Sequence, residues 1–448
     1  MRNLVADVET AFWSTQTRLQ SVAGRIVADG NGDRYPVDIA TSFSTNPQNT
    51  CLLREVPAMS DKVRIGIIGA GAVSDYHHVP GINIDPRCDL VAICDPNEAL
   101  LEQRQKEWGP TKTTTDYEKI AFDPDIDAVI IATPNFMHRE QTLACVNAGK
   151  HVMCEKPLGL NFQESAEMYR AARDKGVRHM TAFTYRFAPS MRYVRHLVQS
   201  GQLGVPRHFR SQRFLDWPET SWGWRQYKHL AGAGDLFDMT IHRIDFSMDL
   251  MGPIKAICGA IAQFSPRDKT ADGESCEPSE VDDWSSLIGQ FENGATGVWE
   301  GSTVMKGHHN NGFGYEWAEV NGSEGSAAYQ LTDPNNVIIG KHGGTMEKVP
   351  VPDEFLVIDG SPRRGNEGVP STVFRYDLVW EFVSAIVEER DALPGFDHGA
   401  RASSLPTLVW SRSRRKPGST STLTLVESHS RLSPPAKVIH LELCVRWQ

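Results

Sequence analysis

The chain has 448 residues, 40% hydrophobic and 23% charged, which at ~150 residues per domain implies two or three globular domains. Its 46 Lys and Arg against 56 Asp and Glu leave a net charge of −10, the wrong sign for a protein that holds nucleic acid by neutralising phosphates. No apolar run reaches the ~18 residues of a membrane span, and Met1 to Thr10, with Asp7 and Glu9, lack the apolar stretch of a secretory signal. The eight cysteines form no Cys-x-x-Cys pair and several lie inside apolar runs, as free buried thiols do in a reducing cytoplasm.

Residues 1–58 hold a helical opening (Leu4, Val8, Leu19, Val22, Ile26) and a polar loop from Thr41 to Thr50, and read as an extension of unclear role. From residue 59 to 185 short β-branched runs alternate with helical periods. Val63–Ile68, Leu90–Asp95, Ala128–Ala132 and His151–Cys154 read as strands; Asn97–Trp108 and Arg139–Ala148 read as helices between them. Continuous apolar strands separated by helices predict a parallel sheet covered on both faces. From 186 to 402 strands dominate and pair through turns. Glu292-Asn293-Gly294 and Asn321-Gly322 mark hairpins, and helices are expected over Met191–Ser200, Asp235–Leu250 and Val373–Glu389. The expected architecture is α/β: an N-terminal Rossmann dinucleotide-binding domain and a C-terminal α+β domain with an open, mainly antiparallel sheet. Residues 403–448 carry seven basic side chains against two acidic ones and are rich in Ser; they read as a solvated tail, with a basic anion-binding arm as the alternative.

Three constellations carry chemistry. The first, Gly69-Ala70-Gly71-Ala72-Val73-Ser74, follows a predicted strand and opens a helix. Gly69 permits the tight turn, Gly71 lets pyrophosphate reach the backbone, and the helix N-terminus offers free N–H groups. Ser74 replaces the third glycine with another small residue. Asp95, at the end of the next strand, can accept from ribose hydroxyls and would repel a 2′-phosphate, which favours NAD over NADP; capping of the following helix is its alternative use. The second constellation runs Thr133-Pro134-Asn135 to His138, then Gly149-Lys150-His151 to Glu155-Lys156-Pro157. It puts Lys156 at the carboxyl end of a parallel strand, where a lysine can stabilise a developing alkoxide. The third places Asp238 and His242 four residues apart on a helix, a carboxylate that can orient an imidazole base. Asp245, three residues on from His242, is placed equally well for that task. His77-His78, His308-His309 and His398 lack a third ligand at metal spacing, so no catalytic metal is expected.

Together with the turn Tyr185-Arg186-Phe187, these motifs resemble, in order and spacing, the family of glucose–fructose oxidoreductase, inositol dehydrogenase and rhizopine-catabolism proteins (Gfo/Idh/MocA). The resemblance spans about residues 61–400. It implies that Lys156 is the catalytic lysine, His242 the general acid/base and Asp238 its partner. Gly69, Gly71, Ala72, Val73, Asp95, Thr133, Pro134, Asn135, His138, Glu155 and Lys156 would then line the cofactor. Tyr185 and Arg186, with the catalytic residues, would line the substrate; Trp224, in the cluster Trp217, Trp222, Trp224 and Tyr227, can stack on a sugar ring, with a place in the core or a subunit interface as the alternative. It also implies a sugar, polyol or related cyclic hydroxyl compound as substrate, and a homodimer or homotetramer. Thr240 departs from the family's usual glycine. A redox-neutral enzyme that retains NAD and a non-catalytic nucleotide sensor are the alternative functions.

Overall fold

The computed structural model describes residues 62–365 and 368–413, together with three two-residue strands, Val27–Ala28, Arg34–Tyr35 and Val426–Glu427. The first two pair antiparallel in a unit of residues 1–59; all that follows belongs to a second unit, residues 60–448. The expected helical opening and polar loop, and the tail past Ser413 except Val426–Glu427, lie outside the described residues.

The apolar runs build the first sheet. Its strands β1 (Val63–Ile68), β2 (Cys88–Cys94), β3 (Lys112–Thr114), β4 (Ala128–Ile131), β5 (His151–Cys154) and β6 (His179–Thr181) are parallel, in the order β3-β2-β1-β4-β5-β6. This is the doubly wound order whose ligand crevice opens beyond the carboxyl ends of the strands, where the order reverses between β1 and β4. Helices α1 (Val79–Ile84), α2 (Glu98–Trp108), α3 (Asn135–Asn147) and α4 (Phe162–Lys175) form crossovers. They cover both faces, and every residue of β4 is buried. Local chemistry sets the helix ends. The Asn97 and Asn161 side chains accept from the Leu100 and Glu164 N–H groups, and Gly109 and Gly176 close α2 and α4 in the left-handed conformation.

The second domain contains α5 (Pro189–Gln199), β7 (Pro206–Phe214), α6 (Ile241–Met251), β8 (Ile254–Ala262), β9 (Trp284–Phe291), β10 (Thr296–Ser302), β11 (Tyr315–Gly322), β12 (Gly325–Gln330), β13 (Asn336–Lys341) and β14 (Glu347–Pro350). After these come α7 (Asp377–Val387), α8 (Phe396–Ser413) and β15 (Val426–Glu427). The strands form one sheet, β14-β13-β12-β11-β7-β10-β9-β8-β15, antiparallel throughout except for the parallel pair β7–β10. Both Asn-Gly hairpins are present, as β9–β10 and β11–β12. The central strand β7 escaped the sequence reading because its buried face is Phe209, Ser211 and Arg213, too polar to register as a core strand.

The boundary expected at residue 403 falls inside α8. That helix runs on to Ser413 with Phe396, Ala402, Leu405 and Val409 buried, and it packs against α4 of the first domain. There the Phe162 N–H donates to Thr407 Oγ1 at 3.0 Å and the Ser165 hydroxyl donates to that of Ser403 at 3.3 Å.

Buried charges fix α6. Arg243 donates to Glu316 of β11, and Arg213 of β7 lies 3.4 Å from the same carboxylate. Removal of Glu316 would strand two buried cations. Asp235, in the turn before α6, is fully buried; its Oδ2 accepts from the Thr240 and Ser285 hydroxyls at 3.0 and 2.9 Å, while Oδ1 has no partner. Burial, reinforced by the Asp282 carboxylate, pushes it up to about 7. A carboxyl raised in the folded state binds its proton more tightly there than in the unfolded chain. Its contribution to stability is therefore complete below the ordinary value of ~3.9 and is lost as pH rises through about 7. Thermal unfolding should show Tm falling between about pH 4 and 7 and levelling above that, and Asp235→Asn, isosteric with the neutral acid, should remove a large part of that fall. An Asp235→Asn variant with the full pH dependence would refute this assignment.

Candidate active site

The chain leaves β1 through Gly69-Ala70-Gly71 and enters a helical run at Ala72 and Val73. Gly69 has φ +101°, and a Cβ there would lie 2.6 Å from the Ala132 carbonyl oxygen beyond β4, so the turn excludes any side chain. At Gly71 a Cβ would meet nothing within 4 Å. The space in front of it is open, which is what close approach of a pyrophosphate requires. Ser74 begins a π-helical turn, Ser74–His78, and donates its hydroxyl to the Gly69 carbonyl at 2.6 Å. A small polar residue thus does at the third position what close packing of a glycine would do. Asp95 is half-buried at the strand end, accepting from the Ala70 N–H at 2.9 Å and the Asn97 N–H at 3.0 Å. It braces the glycine turn as well as the start of the next helix.

Beyond β4, Thr133 donates its hydroxyl to Gln141 Oε1 at 2.6 Å, and Pro134 precedes the first turn of α3. Asn135 crosses to the second domain, donating from Nδ2 to the Ala231 carbonyl at 3.0 Å. His138, expected among the cofactor contacts, has a different place. It is wholly buried, with Nδ1 2.9 Å from the Pro157 carbonyl and Nε2 2.9 Å from the Thr133 carbonyl. Both ring nitrogens are spent on tying together the loops that follow β4 and β5.

At the end of β5, Glu155 Oε1 lies 2.9 Å from His78 Nε2. Burial raises the affinity of Glu155 for its proton, but His78 and Lys156 outweigh that and hold it below the usual carboxylate range. Lys156 reaches into the second domain, where Nζ donates to Asp238 Oδ1 at 2.8 Å and to the Asp238 carbonyl at 2.7 Å. An ammonium has three donors, so one is left for a ligand. Burial works to raise Asp238, yet Lys156 and Arg225 keep its carboxyl below the ordinary value.

This corrects the expected Asp238–His242 pair. Asp238 lies in a π-helical turn, Leu236–Thr240, not on the α-helix that carries His242, so the four-residue spacing is not that of an α-helix. The carboxylate goes to the stronger cation, Lys156. The other candidate, Asp245, is held by Arg186 through two bonds of 2.7 Å. Arg186 also donates to Asp249 at 2.9 Å, which makes it a structural ion-pair residue in place of the substrate contact expected of it.

His242 is buried, with Nδ1 unpartnered. It stands edge-on to the Tyr185 ring at 4.6 Å between centroids and to Phe183 at 5.8 Å. Burial first, then the charges of Lys156, Arg243, Arg375 and Arg213, hold it far below the ordinary histidine value. The imidazole is neutral at pH 7. Trp224 is half-buried, with the Arg225 guanidinium 4.4 Å above its ring. Trp222 is covered by Arg267 at 3.5 Å.

Two residues of this region escaped the sequence reading. His77, set aside there as half of an adjacent pair, is buried with both ring nitrogens unpartnered, and burial with the Arg375 and Lys156 charges holds it neutral. Its position just after the glycine turn was the available signal. Arg375 lies 130 residues beyond Asp245, the last residue of the motifs, and no pattern announced it; its guanidinium sits 5.0 Å from the centre of the Tyr185 ring.

A dinucleotide turn opening toward a lysine with a spare donor and a neutral imidazole defines the class, an oxidoreductase that works with a nicotinamide dinucleotide. Comparison with known proteins narrows this. Residues 63–183 match the profile of an oxidoreductase family with an NAD-binding Rossmann fold, and residues 191–328 match the Gfo/Idh/MocA C-terminal domain. Levoglucosan dehydrogenase of Pseudarthrobacter phenanthrenivorans is 31% identical over 60% of this chain and 73% of its own length. Myo-inositol 2-dehydrogenase of Thermotoga maritima is 29% identical over 59% of this chain and 74% of its own. A solved levoglucosan dehydrogenase, in complex with NADH and levoglucosan, superimposes with a TM-score of 0.73 at 26% identity, covering 82% of this chain and 99% of that one. The chain belongs to the Gfo/Idh/MocA oxidoreductase family, and its first domain is the NAD-binding Rossmann domain of that family.

The two glycines should separate folding from cofactor binding. Gly69→Ala should lower Tm sharply, whereas Gly71→Ala should melt like wild type and raise the NADH Kd at least tenfold, as read by fluorescence titration. Equal effects on Tm from both variants would refute the distinction.

Proposed function

We propose that this protein transfers hydride between NAD and a hydroxyl or carbonyl of a sugar, polyol or related cyclic compound. The observation that carries the reading is the unspent third donor of Lys156, close enough to His242 for its charge to help hold that imidazole neutral. In the oxidising direction a secondary alcohol and NAD become a ketone, NADH and a proton. NAD, when bound, accepts the hydride. Lys156 Nζ donates to the substrate oxygen and stabilises negative charge on it as the C–H bond breaks. His242 Nε2 takes the hydroxyl proton, as a neutral imidazole can. Asp238 keeps Lys156 aimed, so its role is positioning. The Asp95 carboxylate supports NAD over NADP.

A reducing cytoplasm and a homodimer or homotetramer are part of the same proposal. The six described cysteines are free, and among the described residues no helix is long and apolar enough to cross a membrane.

The test follows nicotinamide absorbance with NAD across aldoses, inositols and sugar acids. Substrate-dependent reduction is expected, with kcat lowered about 10²–10³-fold in Lys156→Met and about 10²–10⁴-fold in His242→Ala. Because His242 titrates well below 6.5, kcat/KM for oxidation should stay level from pH 8 to below 6.5 and fall only in more acid solution. No reduction with any compound, from protein that retains NAD through purification, would replace this reading with a redox-neutral reaction. An acid limb near pH 7 would remove His242 from the role of base.

A further inference from the structure

Charges near the catalytic residues do not balance. Lys156 is neutralised by Asp238, and Arg213 and Arg243 share Glu316. Glu155 is engaged by His78. Asp235, behind α6, is pushed up to about 7 and at neutral pH is only half ionised.

Arg375 is left over. It is half-buried in the helical turn before α7, and no carboxylate of the described residues lies within ion-pair distance of it. Its Nε donates to the Ser371 carbonyl at 3.4 Å, and its guanidinium faces the Tyr185 and Phe374 rings at 5.0 and 5.4 Å. The hydroxyls of Tyr185, Tyr329 and Tyr76 are its remaining polar neighbours. Tyr185 is the shared platform, since His242 stands against the same ring at 4.6 Å. The unpaired cation is therefore one side chain away from the proposed base. Arg225, lying over Trp224, also has no carboxylate partner among the described residues, and its charge reaches Asp238 and Tyr76. Beside them, His77 brings two buried ring nitrogens with no hydrogen-bond partner.

A guanidinium partly withdrawn from water without a counter-charge carries a cost that a ligand's charge would offset, and its planar fork fits a carboxylate through two bonds. Orphaned imidazole nitrogens suit hydroxyls, as donor or acceptor. We propose that the substrate is an anionic polyhydroxy compound, a sugar acid, whose carboxylate is bound by Arg375. The inference rests on the oxidoreductase reading above and adds the charge of the substrate. The carboxylate is a handle and is unchanged in the reaction, in which a ring or chain hydroxyl gives up hydride and proton.

The test compares wild type, Arg375→Gln and Arg375→Lys on matched pairs: glucuronate with glucose, galacturonate with galactose, gluconate with glucitol. Wild type should favour the acid of at least one pair by 100-fold or more in kcat/KM. Arg375→Gln should reduce that ratio at least tenfold, mainly through KM, with Arg375→Lys intermediate and the NADH Kd shifted less than threefold in both. The NADH titration also shows that the variants are folded. Preference for neutral compounds, or a ratio unmoved by Arg375→Gln, overturns the proposal and leaves the oxidoreductase reading standing. A large loss of NADH affinity without a change in the acid-to-neutral ratio assigns Arg375 to the cofactor and overturns it too. If nothing is oxidised, the oxidoreductase reading fails, and sugar-acid binding to the NADH-loaded protein decides this one: no saturable quenching of NADH fluorescence that Arg375→Gln abolishes means no acid site.

Discussion

The ion pair between Lys156 and Asp238 is the contact on which the site depends. The lysine comes from the end of a strand in the Rossmann sheet, the aspartate from the π-helical turn of the other domain, and they meet at 2.8 Å. A lysine is a flexible point charge. Here two of its three donors are fixed by one residue, so the third points where the fold directs it. The pair also settles what each partner does. Asp238 is kept ionised against its own burial, and Lys156 cannot withdraw to solvent. Catalytic geometry is thus conditional on the two domains being docked.

Docking has further supports, each a buried polar contact with its partner present. Asn135 donates across to the Ala231 carbonyl, and α8 returns from the far end of the chain to lay Phe396 and Ser403 against the first domain. Arg243, adjacent in sequence to His242, is anchored to Glu316 in the large sheet. A buried ion pair adds little to stability relative to apolar packing, but it tolerates no misregistration, because a displaced partner leaves a bare charge. The helix carrying the proposed base is therefore held in one rotational setting.

How much of this the sequence disclosed follows from how local each feature is. Strand β4 reads directly from four consecutive β-branched or small apolar residues, and the glycine turn from its place between a strand and a helix. Lys156 and His242 were singled out by motif order. The partner of His242 was not, since the spacing Asp238–His242 means one thing on an α-helix and another across a π-turn, and nothing in Leu236–Thr240 announces the extra residue per turn. Arg186 and His138 were misread for a related reason. Both sit in motifs near the crevice, but their partners Asp245, Asp249 and the Pro157 carbonyl are set by tertiary packing. The helix α8 was not expected, and the domain was ended at residue 402, because Ser-rich sequence looks solvated. Its serines and threonine are in fact satisfied internally, Ser403 on the Gly399 carbonyl and Thr407 on the Ser403 carbonyl.

The same electrostatic frame bears on how a histidine so far from its ordinary proton affinity could serve as the proposed base. Four cations reach His242, and each disfavours an imidazolium. The penalty applies to the site before ligand enters. A substrate that brings a negative charge to Arg375 would relieve part of it, raising the proton affinity of His242 at the step where it must take a proton. Lys156 works in the opposite sense on the oxygen, favouring its negative charge. With the lysine held in place by Asp238, the imidazole would be the group whose basicity the bound ligand adjusts. Substrate charge and catalytic competence are then linked through one ring, Tyr185, which touches both the cation and the base.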